Sequence, residues 1–375
     1  LSVPRLSEVL REWGRIGCIG FGGPPAHIAL LRQLCVERRK WIDEQEFEDA
    51  IAATNLIPGP ASTQLAIYCA WRLRGVAGAF VGGLGFIVPG LIAILALSAL
   101  FLSDAPPEWV LGAGAGAGAA VAAVAVHAAV GLAPPSWTRA ASQVRWGAYA
   151  LAGGVSAATV GPFLVLVLLA CGAIELSLRR PGRVLGAHPL LLASVGAPGG
   201  LLALAWVALK VGALSYGGGF VIIPLMQHDA VETYHWMTDA QFLNAVALGQ
   251  VTPGPVVHTV AAVGYAAAGV GGGLLAAAIA FAPSFSFILL GAQRFDRLRA
   301  NAGVRSFLDG AGPAAIGAIA GAAIPLALAL QEAWQLAVLA GALVAVFAAR
   351  RGVVSVLLGA GVAGVVVALA GGPLP

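Results

Sequence analysis

Charge is what this chain of 375 residues has least of. Asp, Glu, Lys and Arg make up only 10% of it while 59% is hydrophobic, whereas soluble domains run at about 25% charged. That shortage excludes a soluble globular domain and points to a polytopic membrane protein. Cysteine is scarce as well: Cys18, Cys35, Cys69 and Cys171 are scattered with no C-x-x-C pair, so neither a disulfide framework nor a thiolate metal site is expected, and the four read as buried small hydrophobes. There is no H-E-x-x-H, no Gly-x-Ser-x-Gly elbow and no G-x-x-x-x-G-K-[ST] loop, which excludes the common intramembrane hydrolases and an ATP-driven pump. No catalytic residue, metal or cofactor is therefore expected. Basic residues outnumber acidic ones by 21 to 17, but they lie dispersed in short loops, a pattern of membrane topology rather than a nucleic-acid footprint. The opening residues show no cleavable signal-peptide pattern.

What is present is apolar and repetitive. Segments long enough for a ~30 Å hydrocarbon core, roughly 20 helical residues each, recur at 78–102, 110–132, 245–269, 274–291 and 307–330. Because a bilayer cannot satisfy open backbone groups, the expected architecture is all-α. Laying Phe21-Gly22-Gly23 over Tyr216-Gly217-Gly218, a shift of 216 − 21 = 195, brings Gly17 onto Gly212, Trp41 onto Trp236, Phe47 onto Phe242, Pro58-Gly59-Pro60 onto Pro253-Gly254-Pro255 and Gly78 onto Gly273 without a gap. The chain reads as one unit written twice: a first repeat at 1–183, a linker at 184–199 and a second repeat at 200–375.

The loops of the two copies swap their charge. Arg32, Arg38, Arg39 and Lys40 face a second-half stretch with no Lys or Arg but with Asp229 and Glu232, whereas Arg294, Arg297, Arg299 and Arg305 face an acidic or neutral first-half loop. Since basic loops stay cytoplasmic, the copies are expected to insert with opposite orientation, as inverted-topology repeats with broken transmembrane helices. This requires the linker, with Pro189 and Pro198 at or beside it, to carry the chain across the membrane.

Both copies interrupt their helices at the same places. A glycine cluster, Gly22-Gly23-Pro24-Pro25 in one and Gly217-Gly218-Gly219 in the other, permits the chain to unwind, and proline suits the first turn of a new helix. Asp43 stands three before Glu46, and Thr238 three before Gln241, each the signature of a helix start. That helix is expected to run to Pro58 or Pro253, where proline removes a donor and clashes with the preceding turn. Each restart leaves N–H groups without intrahelical partners and about half a positive charge. Such ends bind anions. Kinks that merely aid packing are the plainer reading of any single break; matched breaks with polar neighbours favour a site.

The candidate substrate-binding residues gather there. Gly22, Gly23, Pro58, Gly59 and Pro60 in the first copy, and Gly217, Gly218, Gly219, Pro253, Gly254 and Pro255 in the second, would present backbone N–H groups. Ser62, Thr63, Ser215 and Thr252 add hydroxyls beside them, and the equivalent amides Asn55 and Gln250 precede the two breaks. Arg15 and Lys210 are equivalent cations, and Lys210 in particular lies in an apolar run where an ionisable group is costly; snorkelling is the alternative. His27 and His258 are candidates for carrying protons near neutral pH. The Gly-Ala run at 112–120 reads as a close-packed helix face.

With these residues in place, "FGGPPAHIALL", "ERRKWIDEQEF", "NLIPGPASTQLAI", "YGGGFVIIPL", "WMTDAQF" and "GQVTPGPV" together resemble the chromate ion transporters in their long two-domain form. The resemblance implies a multi-pass inner-membrane carrier that expels chromate using the proton gradient and so confers chromate resistance, with the glycine clusters, Arg15, Lys210 and the Pro-Gly-Pro segments tied to transport. Gly20 and Phe220 depart from that pattern. Partners implied are a tetrahedral dianion (chromate or a sulfate-like oxyanion), protons and the lipid bilayer, with a homodimer as one compatible assembly and no nucleic acid. The competing functions are a sulfate or other oxyanion transporter and an anion channel.

Overall fold

The computed structural model describes residues 4–103, 105–159, 164–179, 199–215, 221–295 and 301–375. The described residues of the linker are only at its very end, and Gly217, Gly218 and Gly219 lie outside the described residues. Every regular element among the described residues is helical, so the chain is an all-α polytopic membrane protein.

In the first half, α1 (Leu6–Ile19) leads to Gly22 and Gly23, both at positive φ, and the chain restarts as α2 (Pro24–Arg32) with proline in its first turn. A π-helical turn, Gln33–Arg38, closes on Lys40 at φ 51. Then α3 (Glu44–Thr54) begins where Asp43 accepts from the Glu46 N–H at 3.1 Å. Next come α4 (Ala61–Phe101), α5 (Glu108–Ala119), α6 (Val121–Arg139), α7 (Gln143–Thr159) and α8 (Leu164–Arg179).

The second half repeats the opening. α9 (Leu201–Leu214) and the π-turn His228–Thr233 stand 195 residues after α1 and the first π-turn, and His235 repeats the φ of 51 at Lys40. Between them lies α10 (Ile222–Gln227). α11 (Asp239–Val251) opens with a reciprocal cap: Thr238 Oγ1 accepts from the Gln241 N–H, and Gln241 Oε1 accepts from the Thr238 N–H. A 3-10 turn, Val256–His258, leads into α12 (Thr259–Gly291), followed by α13 (Ala302–Leu328), α14 (Ala333–Leu343) and α15 (Val353–Leu369).

Two features depart from the sequence expectation. The apolar run 245–269 is not one span, because the helix ends at Val251 and restarts only after Pro255. Moreover, α4 and α12, though each long and apolar enough to cross a membrane, turn back on themselves. Arg74 and Gly75 leave helical geometry in α4, as do Ala268 and Gly269 in α12, with φ near 60 at each glycine. A Cβ on Gly78 would strike the Ala70 carbonyl, and one on Gly82 the Ala70 side chain. In a straight helix, residues 70 and 82 would be about 18 Å apart. Residues 61–73 and 76–101 are thus arms of a hairpin, and Gly264 against Gly272 and Ala276 closes the second one likewise.

The turn also moves the register. Gly75 and Gly269, and the in-helix prolines Pro89 and Pro283, are separated by 194 rather than 195, so the ungapped alignment to Gly78 and Gly273 loses one residue between Pro255 and Ala268. Two compact units emerge, one of Leu1–Asp104, Leu204–Gly219 and Leu248–Ala300, the other of Ala105–Ala203, Phe220–Ala247 and Asn301–Pro375. Each draws on both halves of the sequence. In the second unit, the Gly-Ala run packs as expected: Gly112 and Gly116 of α5 abut backbone of α15 at Gly364 and Ala360. Cys18 is exposed, against the expectation of four buried cysteines, while Cys35, Cys69 and Cys171 are buried.

Candidate functional site

Both Pro-Gly-Pro breaks fall in the first unit, and each is held differently. After α3 the chain turns at Asn55, which is exposed, and Gly59 adopts φ 121 before Pro60 caps α4. Only glycine tolerates that φ without strain. Gln64, one turn into α4, donates Nε2–H to the Pro58 carbonyl at 2.8 Å and so fastens the break from below. A Cβ on Gly59 would also stand 3.5 Å from the Gly212 carbonyl of α9.

At the second break Gly254 has φ 93, and its N–H donates to the Gly20 carbonyl at 2.9 Å. The break is therefore tied to the end of α1. Gly90 of α4 lies beneath it, where any side chain would strike the Pro253 carbonyl and crowd the His258 ring. His258 itself is fully buried with its ring against Phe281, centroids 5.3 Å apart. Neither ring nitrogen has a hydrogen-bond partner among the described residues, although the Ile87 carbonyl is close by.

The first glycine cluster meets both breaks through His27. That side chain is fully buried, its Nε2 2.9 Å from the Gly20 carbonyl and its Nδ1 3.2 Å from Ser62 Oγ, with Phe86 edge-on at 5.0 Å. One carbonyl, Gly20, thus serves the histidine and the second break together. A Cβ at position 20 would lie 2.8 Å from the His27 ring, which accounts for glycine where the family resemblance leads one to look for serine.

Around these breaks polar atoms are buried without partners. Thr63 Oγ1, Gln64 Oε1, Ser215 Oγ, Gln250 Nε2 and both His258 nitrogens make no hydrogen bond among the described residues, and all five residues are more than nine-tenths buried. Folded proteins leave few such atoms, each costing about 1–3 kcal/mol. Their concentration in the unit that carries both breaks favours a polar occupant. Thr252 is different, since its hydroxyl donates back to the Leu248 carbonyl at 2.8 Å and is already used. Gly22 is exposed and Gly23 half-buried near Val256.

The two equivalent cations part company. Lys210 is half-buried on α9, its Nζ 6.0 Å from the centre of the Trp206 ring, two residues and so about half a turn before Gly212, whose carbonyl approaches Gly59. Arg15 is exposed on α1. The basic cluster after α2 forms a separate ion-pair group. Arg38 and Arg39 hold the buried Glu12 carboxylate at 2.8 and 2.7 Å, and Arg39 also reaches Glu8 and lies over Trp41. Burial alone would raise the Glu12 pKa, but the two guanidiniums bring it below the ordinary value. Arg32 pairs with Glu44 and Glu48, and Arg72 near the first hairpin tip with Glu46.

Sequence reasoning missed Gln64 and Gly90, and met Gly20 only as a departure from the family pattern. Gln64 carried a signal, an amide in an otherwise apolar helical run; Gly90 gave none, because its partners are distant in sequence.

The chromate transporter family model matches residues 7–176 and 202–365, nearly the whole chain in two segments. A chromate transport protein of Cupriavidus metallidurans is 32% identical over 86% of this chain and 82% of its own length. One of Pseudomonas aeruginosa is 31% identical over 97% of this chain and 92% of its own. An uncharacterized transporter of Methanocaldococcus jannaschii is 26% identical over 80% and 78%. No solved structure matches the chain. The duplicated glycine and Pro-Gly-Pro breaks, seated in an all-helical apolar chain, accordingly belong to a member of the chromate transporter family.

Proposed function

We propose that this protein transports chromate across the cell's inner membrane, exporting it as the tetrahedral dianion with protons as the coupling ion. The observation that carries this reading is the set of four buried side chains able to donate without a partner, Thr63, Ser215, Gln250 and His258, in the unit that holds both Pro-Gly-Pro breaks. Helix N-termini and neutral hydrogen-bond donors suit an oxyanion, since they supply partial positive charge without a second full desolvation cost. Lys210, and Arg15 at its equivalent position, would add cationic attraction. The chromate named for the relatives in Cupriavidus and Pseudomonas supports that substrate over sulfate.

On this reading the chain is organised as repeats at 1–183 and 200–375 joined by 184–199 and inserted with opposite orientation, so that basic loops of one copy and neutral loops of the other lie on opposite faces. Single cysteines placed at Arg39 and Tyr234 in an otherwise cysteine-free chain should be labelled from opposite sides; labelling from the same side overturns the inversion. For the transport itself, purified protein in sealed vesicles should move labelled chromate, with flux that changes when a pH gradient is imposed and saturates with concentration. Flux of sulfate in preference to chromate would reassign the substrate. Unsaturable flux at channel rates would replace alternation by a pore.

A further inference from the structure

His27 has two ring nitrogens in opposite roles. Nε2 lies 2.9 Å from the Gly20 carbonyl oxygen, and because a carbonyl only accepts, Nε2 carries the hydrogen. A neutral imidazole has just one N–H, so Nδ1 is then bare and the Ser62 hydroxyl, 3.2 Å away, must donate to it. Ser62 sits in the first turn of α4, where backbone N–H groups lack intrahelical acceptors. Its neighbour Thr63 Oγ1 is fully buried and has no partner among the described residues. While His27 is neutral, the one Ser62 hydrogen is committed to His27.

We propose that His27 is a positioning residue which, on taking up a proton at Nδ1, releases the Ser62 hydroxyl hydrogen to an oxyanion at the N-terminus of α4, so that proton and anion bind together. The inference rests on the reading that the oxyanion seats at the first Pro-Gly-Pro break. The step balances simply. One proton arrives from water and forms an N–H bond at Nδ1; that N–H now donates to Ser62 Oγ, and the Ser62 O–H bond, never broken, rotates about Cβ–Oγ towards the anion. When the anion leaves, the proton returns to water and the hydrogen bond reverses.

The surroundings favour this linkage. From α4 the groups facing His27 are Ser62 and the edge-on Phe86, and from the end of α1 the Gly20 carbonyl. From the 3-10 turn after the second break comes His258, a second buried imidazole near enough that the two would not be charged together. No carboxylate or other charged side chain acts on His27 among the described residues. A buried imidazolium without a counter-charge is costly, and the dianion supplies that counter-charge. By reciprocity, the factor by which the proton strengthens anion binding equals the factor by which the anion strengthens proton binding.

The test uses the full chain in proteoliposomes and 51Cr-labelled chromate, with half-saturation expressed per chromate dianion, because chromate itself takes up a proton near neutral pH, and measured from about pH 5 to pH 8, because burial holds His27 below the ordinary histidine value before the anion binds. Wild type should bind chromate roughly tenfold more tightly at the acid end, the scale of one hydrogen bond to a charged group. His27→Gln keeps an N–H for the Gly20 carbonyl and an oxygen to hold the Ser62 hydrogen, so its affinity should stay at the weak level at every pH. Ser62→Ala should do the same, and Ser62→Thr should restore the slope. If His27→Gln does not reach the membrane, Ser62→Ala against Ser62→Thr carries the test. A wild-type pH profile in the folded variants, or chromate binding that weakens on acidification, overturns the proposal. Weakened chromate affinity with the wild-type slope kept would defeat the coupling alone, whereas Ser62→Ala with wild-type affinity throughout would mean that the anion does not seat at α4.

Discussion

The two Pro-Gly-Pro breaks share a sequence and a backbone turn, yet the residues that follow differ in kind. After the first stand Ala61, Ser62, Thr63 and Gln64; after the second stand Val256, Val257 and His258. The first is fastened by its own helix, through Gln64 to Pro58. The second is fastened by the opposite half of the chain, through Gly254 to Gly20 and by packing of Pro253 on Gly90. The same backbone device thus stands twice, followed once by hydroxyl and amide side chains and once by an apolar turn ending in a buried imidazole. The difference teaches that matched breaks can be held in unlike ways, the first by its own helix and the second by the other half of the chain.

Replacing each break with three alanines sharpens the contrast most. At Pro58-Gly59-Pro60 the helix would continue and its open N-terminus vanish. Chromate flux in vesicles should fall about 100-fold, the loss for roughly 3 kcal/mol of anion stabilisation, with the protein still recovered folded. At Pro253-Gly254-Pro255, where the glycine stands at positive φ as Gly59 does, the same change also breaks the tie to the Gly20 carbonyl and the packing on Gly90, so the yield of folded protein should fall below that of the first variant, as read by size-exclusion profile. Equal behaviour of the two variants would break the comparison.

Next in size is Lys210→Met, which should lower chromate flux about tenfold, whereas Lys210→Arg should keep part of it because a planar fork replaces a point charge imperfectly. Arg15→Met, at the equivalent but exposed position, should cost less. Wild-type flux in Lys210→Met would leave the lysine as a snorkelling anchor.

Gln64→Leu removes the bond to the Pro58 carbonyl and should destabilise the protein by about 1.5 kcal/mol, measured by thermal unfolding in detergent. The smallest effect is expected at the ion-pair group found in the first half only, since Glu12, Arg38 and Arg39 correspond to Val207, Thr233 and Tyr234. The guanidiniums depress the Glu12 pKa in the folded state, so the carboxylate's contribution is complete at neutral pH and is lost as pH falls through that lowered value. Glu12→Gln should therefore cost below about 1 kcal/mol at neutral pH, the arginines being partly exposed. In strongly acidic buffer the difference from wild type should disappear; a difference that persists would place the effect in packing.

The sequence by itself determined what local chemistry dictates. Proline and glycine mark where the helical path is interrupted at residues 22–25, 58–60 and 253–255, although the helix before Pro58 already ends at Thr54, and Asp43 with Glu46 and Thr238 with Gln241 cap the helices whose starts they announce. Each of these rules operates within about one helical turn, so the residues concerned are neighbours in the chain. What only the tertiary structure decided lies beyond that reach. The fold-back of α4 and α12 at Gly75 and Gly269 was hidden because apolar composition continues through both turns, and a bare glycine in a helix reads equally as a packing surface. The joining of His27 to Ser62, 35 residues apart, and of Gly20 to Gly254 depends on hairpin arms meeting in one unit drawn from both halves. Periodicity cannot rank such meetings, because the energy that selects them is the burial and pairing of groups brought close only by the finished packing.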